Sequence, residues 1–258
     1  MNGVLQSLVD SSRLRAAELP AGGPSVRRTR ASLADALAGR DRIKIIAEFK
    51  RSSPSAGVLG AGASAAAQAR IYRDAGASAL SILTEPTRFN GSPDDLAAAA
   101  VAVEVPLLMK DFIVDPAQIA LGARIGASAI LLILRCLDDV QLNELAAACR
   151  EHDLTPLLEC HDRAEVERAI AVTDAVIGVN NRNLDTLKID TAMAPRLLAH
   201  VPAGRITVAE SGYTSPEEIR ALRGKCNAVL VGEALMRSGD PGRFIREALG
   251  VCQTFPQP

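Results

Sequence analysis

The chain has 258 residues, close to the roughly 250 residues of a single barrel built from eight strand and helix pairs. Its composition, 48% hydrophobic and 23% charged, is typical of folded globular proteins and excludes disordered, collagen-like and fibrous classes. The formal net charge of -1 gives no overall electrostatic reason to bind nucleic acid or an anionic membrane. We therefore expect a small-molecule partner, with no nucleic acid and no membrane.

The cysteines, the histidines and the first residues argue against a secreted protein or a metalloprotein. The five cysteines never form a C-x-x-C pair, which favours reduced thiols, and the three histidines lack metal-ligand spacing. We interpret the histidines as surface or packing residues. No apolar run reaches the roughly 18 residues of a membrane span, and the segment MNGVLQSLVDSSRLR is too polar for a signal peptide. We expect a cytoplasmic protein without a metal.

Short runs of aliphatic and β-branched residues recur along the chain and predict strands. Each run is nearly continuous in apolar residues, which is typical of parallel strands buried on both faces. The spacing between runs leaves room for one crossover helix each. The predicted strands are Ile43–Phe49, Ala79–Leu83, Leu107–Met109, Ala129–Leu134, Thr155–Leu158, Val176–Val179, Arg205–Ala209 and Ala228–Val231.

Helix start signals occur between these runs. Ser92, Asp115 and Ser215 each precede a proline and have an acid or amide three residues later, the pattern of an N-cap and a first helical turn. The segments around Gly76 and Gly126 repeat one pattern, in which a glycine closes a helix before a short loop enters a strand. The sequence therefore predicts a repeated βα unit.

Residues 1–40 precede the first predicted strand and contain two helix-like segments, Val4–Leu19 and Ser32–Gly39. This extension either covers one mouth of a barrel or acts as a structural cap. Eight βα units also fit an open doubly wound sheet, but no G-x-G-x-x-G follows the first strand and no P-loop occurs. We predict an α/β protein, a (β/α)8 TIM barrel that forms one domain over 1–258, with a helical extension over 1–40 and the barrel over 41–258.

Polar side chains follow the predicted strands at their C-terminal ends, where a TIM barrel carries its active site. Lysines and glutamates that converge on a partly desolvated pocket shift each other's pKa values, which prepares them for proton transfer. The sequence therefore predicts acid–base chemistry at this mouth. The strand ends are Glu48-Phe49-Lys50, Lys110-Asp111, Glu159, Asn180-Asn181, Glu210-Ser211-Gly212 and Gly232-Glu233.

The loops after the seventh and eighth strands predict a phosphate site. Such barrels bind phosphate there through backbone N–H groups, which glycine lets approach closely. The segment Lys50–Gly57 is rich in hydroxyl groups and positive charge, and it either closes over an anionic substrate or is an ordinary solvated loop. Apolar residues near the mouth that either line a ring site or belong to the core are Pro54, Phe89, Phe112, Leu131 and Ile133.

Several longer motifs follow one another between about residues 43 and 237. They are IAEFKRSSPS (46–55), LTE (83–85), FNGS (89–92), KDFIVDP (110–116), IGVNNRNL (177–184), VAESG (208–212) and VGEALM (231–236). In composition and order they resemble the motifs of the indole-3-glycerol phosphate synthase family, and the likeness covers nearly the whole barrel. What the resemblance implies is a TIM-barrel lyase of tryptophan biosynthesis that needs no cofactor and no metal.

The implied reaction closes 1-(2-carboxyphenylamino)-1-deoxyribulose 5-phosphate to indole-3-glycerol phosphate with loss of carbon dioxide and water. By similarity, Lys110 is the general acid, Lys50 binds the substrate carboxylate and later acts as an acid, and Glu159 is the base for dehydration. The residues implied to orient the lysines and the sugar hydroxyls are Glu48, Asn180 and Glu210. The implied substrate and phosphate contacts are Ser53, Pro54, Phe89, Phe112, Leu131, Arg182, Ser211, Gly212, Gly232 and Glu233.

The chain departs from the family pattern at three positions that carry no catalytic group, Arg88, Met109 and Tyr213. Arg88 replaces a common aromatic residue and leaves open how the substrate ring is gripped. Two alternatives remain: another phosphate-binding barrel of the same pathway, such as phosphoribosylanthranilate isomerase or the tryptophan synthase alpha subunit, and a non-catalytic barrel that binds a phosphorylated metabolite. Lys50 and Lys110 favour the synthase. The oligomeric state stays open, and a monomer is compatible with the sequence.

Overall fold

Parallel strands close into an eight-stranded barrel in the computed structural model, which describes residues 3–20, 22–23, 25–26, 31–60 and 62–251. Each strand pairs with the next one along the chain, and the last pairs with the first, as in a TIM barrel. The predicted fold class is confirmed. The strands are β1 (Lys44–Phe49), β2 (Ala79–Leu83), β3 (Leu107–Lys110), β4 (Ala129–Ile133), β5 (Thr155–Cys160), β6 (Val176–Asn180), β7 (Thr207–Glu210) and β8 (Ala228–Val231).

Four strands, β3, β5, β6 and β7, end one or two residues later than predicted. The parallel ladder continues into their polar ends: Lys110 pairs with Leu83, and Glu210 pairs with Asn180. A polar residue at a strand end resembles a loop residue in sequence, although its backbone keeps the ladder hydrogen bonds. The side chains of Lys110, Glu159, Asn180 and Glu210 therefore lie on strands rather than in loops.

Helices alternate with the strands and surround the barrel. None of the helices in the described ranges is long and apolar enough to cross a membrane. The helices are α1 (Gly3–Ala17), α2 (Leu33–Leu37), α3 (Ala65–Asp74), α4 (Pro86–Phe89), α5 (Pro93–Ala102), α6 (Pro116–Arg124), α7 (Asp139–Glu151), α8 (Arg163–Ala171), α9 (Met193–Leu198), α10 (Pro216–Arg220), α11 (Glu233–Arg237) and α12 (Pro241–Leu249), with one 3-10 turn at Leu134–Cys136.

The predicted helix starts are confirmed, with one difference in detail. Asp115 and Ser215 form complete capping boxes with the side chains three residues later. Ser92 caps α5 alone, because the side chain of Asp95 is bound by Arg51 instead. Gly76 and its counterpart in the internal repeat, Gly126, adopt positive φ angles of 97° and 99° after their helices, a conformation that favours glycine.

The first helix, α1, lies across the C-terminal mouth of the barrel. Its Val4, Leu5 and Leu8 line the cavity there, so the N-terminal extension covers the mouth, one of the two roles that the sequence left open. Two buried contacts anchor α1: Ser12 Oγ donates a hydrogen bond to the backbone oxygen of Phe112 and accepts one of 2.9 Å from Gln118 Nε2.

An arginine of α1 completes the attachment. Arg15 lies between two buried carboxylates, with Nη1 3.1 Å from Glu85 Oε1 and Nη2 2.7 Å from Asp111 Oδ1. Thr84 Oγ1 also donates to Asp111 Oδ2 at 2.9 Å. Both acids belong to barrel loops, because Asp111 follows β3 and Glu85 caps α4. The helix therefore supplies the positive charge that these two loops require.

We predict that Arg15→Ala lowers the free energy of unfolding by about 2 kcal/mol, because two buried carboxylates lose their charged partner. The matched control is Arg13→Ala on the same helix, whose exposed pair with Asp10 is worth about 0.5 kcal/mol or less. Urea unfolding at neutral pH measures both. Equal losses in the two variants would show that Arg15 does not stabilise the docked helix.

Candidate active site

A cavity of about 800 Å³ opens at the C-terminal mouth of the barrel. A volume of this size suits a small organic ligand. The ends of the strands form its floor, and α1 together with the loops after β1, β2, β6 and β8 forms its walls. Every candidate site residue of the sequence lines it: Glu48, Lys50, Ser53, Pro54, Phe89, Lys110, Phe112, Leu131, Glu159, Asn180, Arg182, Glu210, Ser211, Gly212, Gly232 and Glu233.

Glu48 and Lys50 form an ion pair on β1 and the residue after it. Side chains two positions apart on a strand point to the same face, so both point toward the cavity. The Lys50 Nζ atom lies 2.7 Å from Glu48 Oε1, and Glu48 Oε2 is buried without a hydrogen-bond partner in the described chain. One oxygen of Glu48 is therefore not engaged by the hydrogen bonds of the described residues.

Lys110, at the end of β3, lies between carboxylates from β5 and β7. Its Nζ atom is 3.3 Å from Glu159 Oε2 and 3.9 Å from Glu210 Oε2. Burial acts to lower the pKa of Lys110, but Glu159, Glu210 and Glu48 together raise that pKa above its usual value. Lys110 is therefore a cation that carries a proton to donate.

The two carboxylates beside Lys110 have opposite pKa shifts. Burial raises the pKa of Glu210 well above its usual value, and the negative charge of Glu159 raises it further. Glu159 is equally buried, but Lys110 and then His161 lower its pKa below the usual range. We assign the charged form to Glu159 and the neutral form to Glu210. One base and one proton donor then flank the same lysine.

Two glycines, one on β6 and one directly after β8, give the carboxylates of Glu210 and Glu48 their space. A Cβ atom at Gly178 of β6 would overlap the carboxylate of Glu210, and one at Gly232 would overlap that of Glu48. From the sequence, we interpreted Gly232 as a position where the backbone approaches phosphate. In the structure, the space that a side chain at this position would fill is already occupied by Glu48. Gly178 was missed because its role depends on a side chain of the next strand.

The loop after β7 has an unusual backbone. Ser211 and Gly212 both adopt positive φ angles, 65° and 93°, and Ser211 is one of few described residues other than glycine to do so. Asn181 fixes this loop: its Nδ2 donates to the Ser211 backbone oxygen at 2.9 Å and to Tyr213 Oη at 3.0 Å. From the sequence, Asn181 was noted only as part of a strand end. Its role was missed because its partners lie 30 and 32 residues away along the chain.

Arginines lie at the rim beside this loop. Arg182 Nη2 lies 3.7 Å from Glu233 Oε2, and Arg237 Nε lies 3.2 Å from Glu233 Oε1. Arg237 also donates to the backbone oxygen of Ala56, in the loop after β1, at 3.3 Å. The backbone N–H of Arg182 binds Asn180 Oδ1 at 3.0 Å, which leaves the amide nitrogen of Asn180 for a ligand. Positive charge is therefore concentrated near the loops that the sequence assigned to phosphate.

The opposite side of the cavity is apolar. Phe112 and Leu131 are buried there, Phe89 is half-buried, and the exposed Pro54 and Arg88 lie at its edge. Glu85 fixes α4, which carries Phe89 and Arg88, by accepting hydrogen bonds from the first N–H groups of that helix. These apolar side chains offer a flat ring a dry surface within the same cavity.

A buried histidine adjoins the lysine cluster and was not identified from the sequence. His161 Nε2 lies 3.3 Å from Glu159 Oε1, and Nδ1 lies 3.1 Å from Glu165 Oε2. The interpretation of the histidines as surface or packing residues is therefore incomplete for His161. Its only sequence signal was a glutamate four residues later, at the start of α8. In the described ranges no cluster of three histidine, cysteine or acidic residues could bind a metal ion.

The need for glycine at position 178 has a direct test. Gly178→Ala should lower the free energy of unfolding by about 2 kcal/mol, because the added Cβ displaces Glu210 in a packed interior. In a Glu210→Ala background the same change should cost much less, which a double-mutant cycle measures. Gly239→Ala, at an exposed position with nothing within 4 Å, is the control. Equal costs in both backgrounds would mean that Gly178 is needed for another reason.

Comparison with known proteins gives the family. The family model "Indole-3-glycerol phosphate synthase" matches residues 6–248. A curated relative of that name from Nocardioides sp. is 44% identical over 257 residues, which is 96% of this chain and 98% of the relative. Another, from Opitutus terrae, is 45% identical over 84% of each chain.

Solved structures that resemble the chain share its fold at low sequence identity. A tryptophan synthase chain from M. tuberculosis aligns with a TM-score of 0.65 at 14% identity, over 87% of this chain and 99% of that one. Phosphoribosylanthranilate isomerase from Thermotoga maritima aligns with a TM-score of 0.58 at 15% identity, over 81% and 99%. These identities support the barrel fold alone, whereas the family model and the curated relatives extend over nearly the whole sequence. The chain belongs to the indole-3-glycerol phosphate synthase family.

Proposed function

We propose that the barrel mouth closes 1-(2-carboxyphenylamino)-1-deoxyribulose 5-phosphate to indole-3-glycerol phosphate, with loss of carbon dioxide and water. The observation that carries the proposal is Lys110 between the charged Glu159 and the neutral Glu210, with the second ion pair Lys50–Glu48 in the same cavity. Ring closure needs a proton donor at the carbonyl oxygen and a base later in the reaction, and this cluster offers both.

Lys110 is the proposed acid of the first step. A ring carbon attacks the sugar carbonyl carbon, and the carbonyl oxygen takes the proton of the Lys110 ammonium group as the new carbon–carbon bond forms. The neighbouring carboxylates keep Lys110 protonated before the substrate arrives. The new hydroxyl group then lies within the cluster, where it can leave as water in the last step.

Lys50 is the proposed partner of the substrate carboxylate. Its side chain is only 13% exposed and its ammonium group is paired with Glu48, so a second carboxylate meets a positive charge that water screens weakly. Loss of carbon dioxide breaks the bond between the ring and that second carboxylate, and the electron pair of the bond restores the aromatic ring. Lys50 can then donate a proton to the leaving hydroxyl group.

Glu159 is the proposed base of the dehydration. It is the carboxylate whose pKa is lowered by Lys110 and His161, so it is charged at neutral pH. The neutral Glu210 and the amide of Asn180 supply hydrogen bonds to the hydroxyl groups of the sugar chain. Every reacting group then comes from the end of a strand or from the residue after it, which fixes the geometry before binding.

The phosphate group is proposed to bind at the opposite end of the cavity. Ser211, Gly212 and Gly232 offer backbone N–H groups, Ser53 offers a hydroxyl, and Arg182 offers a guanidinium. Glu233 would act through Arg182, to which it is paired. The aromatic ring would lie against the apolar wall. The proposal includes a small-molecule partner and a cytoplasmic location, since the near-neutral net charge favours neither nucleic acid nor an anionic membrane.

Product formation from the carboxyphenylamino deoxyribulose phosphate, followed by indole fluorescence, tests the activity directly. Lys110→Met should lower kcat by at least about 100-fold, because general acids contribute roughly 10²- to 10⁴-fold. Lys225→Met is the matched control: this exposed lysine precedes β8 at the other end of the barrel, and kcat should stay within about twofold. Turnover of Lys110→Met within tenfold of wild type would contradict the acid role.

Arg182→Leu should raise KM about tenfold and change kcat less, because a phosphate loses one charge-assisted partner at the rim. Inorganic phosphate should raise the melting temperature of the wild type and fail to do so for this variant. Arg163→Leu, an exposed arginine on α8, serves as the control. Protection of Arg182→Leu equal to that of the wild type would place the phosphate elsewhere.

A further inference from the structure

His161 follows β5 and is buried among charged groups, with 5% of its surface exposed. It is bound twice to the first turn of α8: its backbone N–H donates to Glu165 Oε2 at 2.7 Å, and its ring Nδ1 lies 3.1 Å from the same oxygen. Glu165 is in turn fixed by Arg135, whose Nε donates to Glu165 Oε1 at 2.9 Å. One edge of the imidazole ring is therefore held from outside the cavity.

The other edge of the ring faces the proposed base. His161 Nε2 lies 3.3 Å from Glu159 Oε1, although the angle is too poor for a hydrogen bond. The second oxygen of Glu159 lies 3.3 Å from Lys110 Nζ. Each oxygen of Glu159 therefore has its own partner: Lys110 at the cavity for one oxygen, and His161 on the side away from the cavity for the other.

Charge alternates along this line of side chains. Arg135 lies outermost, followed by Glu165, His161 and Glu159, with Lys110 at the cavity. A neutral imidazole has only one N–H, so one of its two carboxylate neighbours would face a nitrogen lone pair. The imidazolium form presents one N–H to each neighbour, so this geometry favours it.

The ionisation of the ring agrees with this geometry. Burial lowers the pKa of His161, but Glu159 and Glu165 outweigh burial and raise that pKa to about 9. The nearby thiols add no charge, since burial raises the pKa of Cys136 to about 12 and that of Cys160 well above its usual value.

More distant charged groups contact the two carboxylate neighbours of His161 and not the ring itself. Lys110 and Glu210 lie beyond Glu159, on β3 and β7. Arg135, on the 3-10 turn after β4, lies beyond Glu165, and Asp162 pairs with that arginine at 3.1 Å. The two glutamates therefore set the charge of the ring at neutral pH.

We propose that His161 is a positioning residue for Glu159: as an imidazolium it keeps this carboxylate charged and oriented toward Lys110 and the cavity. This inference rests on the proposed function, because it assumes that Glu159 is the base of the reaction. A purely structural role is the competing explanation, in which His161 only joins the end of β5 to α8 through Glu165. A structural role depends on the Nδ1 edge of the ring, which faces Glu165, whereas positioning depends on the Nε2 edge, which faces Glu159.

Two amide variants separate the edges. The amide nitrogen of asparagine reaches about as far as Nδ1, so His161→Asn keeps a donor toward Glu165. Glutamine reaches about as far as Nε2, so His161→Gln keeps a donor toward Glu159, and neither variant carries charge. His200→Gln, at an exposed histidine, is the control for the change of residue type.

Positioning predicts that kcat falls about 100-fold in His161→Asn and about tenfold in His161→Gln, with KM within about twofold. In a plot of kcat against pH, the acid limb should move to higher pH by about one unit in both variants, because loss of the imidazolium raises the pKa of Glu159. His200→Gln should match the wild type. Wild-type kcat and an unshifted acid limb in both variants, at whatever melting temperature, would overturn the proposal.

A second measurement needs neither turnover nor a variant. Nitrogen NMR of the wild type should show both ring nitrogens of His161 protonated up to about pH 9. A neutral ring at pH 7.5 would overturn the proposal even if the variants failed to fold. If no product forms with the wild type, the proposed function fails instead. Carbon NMR titration of Glu159 would then still report whether its pKa rises in the two variants.

Discussion

The mouth of this barrel depends on the pairing of buried carboxylates with cations. Glu48, Glu159 and Glu210 project into one enclosed space, where an isolated charge costs several kcal/mol. Lys50 and Lys110 compensate the first two, and Glu210 takes up a proton because it is buried and lies beside the negative charge of Glu159. The space is therefore close to neutral although it holds two ion pairs, and the neutral Glu210 lies beside one of them.

The rest of the scaffold is arranged around this compensation. Gly178 and Gly232 leave room for the carboxylates of Glu210 and Glu48, so neither of these two positions can carry a larger side chain. Two further buried acids, Glu85 and Asp111, are paired separately by Arg15 of α1. Because the helix carries that arginine, the two loops of the mouth obtain their counter-charge from Arg15 and not from Lys50 or Lys110.

Local features of this protein could be predicted from sequence, and contacts between distant residues could not. The strands, the N-caps at Asp115 and Ser215 and the convergence of polar strand ends follow from residue types within a few positions of one another. Arg15 meets Asp111 across 96 residues, and no pattern in the chain joins them. The same limit hid the function of Gly178, whose partner belongs to another strand.

Barrel geometry explains which of the polar strand ends meet. Inward side chains at one level of such a barrel come from alternate strands. Here the odd strands β1, β3, β5 and β7 carry Glu48, Lys110, Glu159 and Glu210 as their last or second-to-last residues, whereas the even strands end in Leu83, Ile133, Asn180 and Val231. The charged groups therefore lie at one level, and uncharged side chains separate them along the wall. Lys110 contacts carboxylates from β5 and β7, and the strands that lie between them, β4 and β6, end in uncharged side chains, so the alternation of odd and even strands brings the ionisable groups together without a further charge between them.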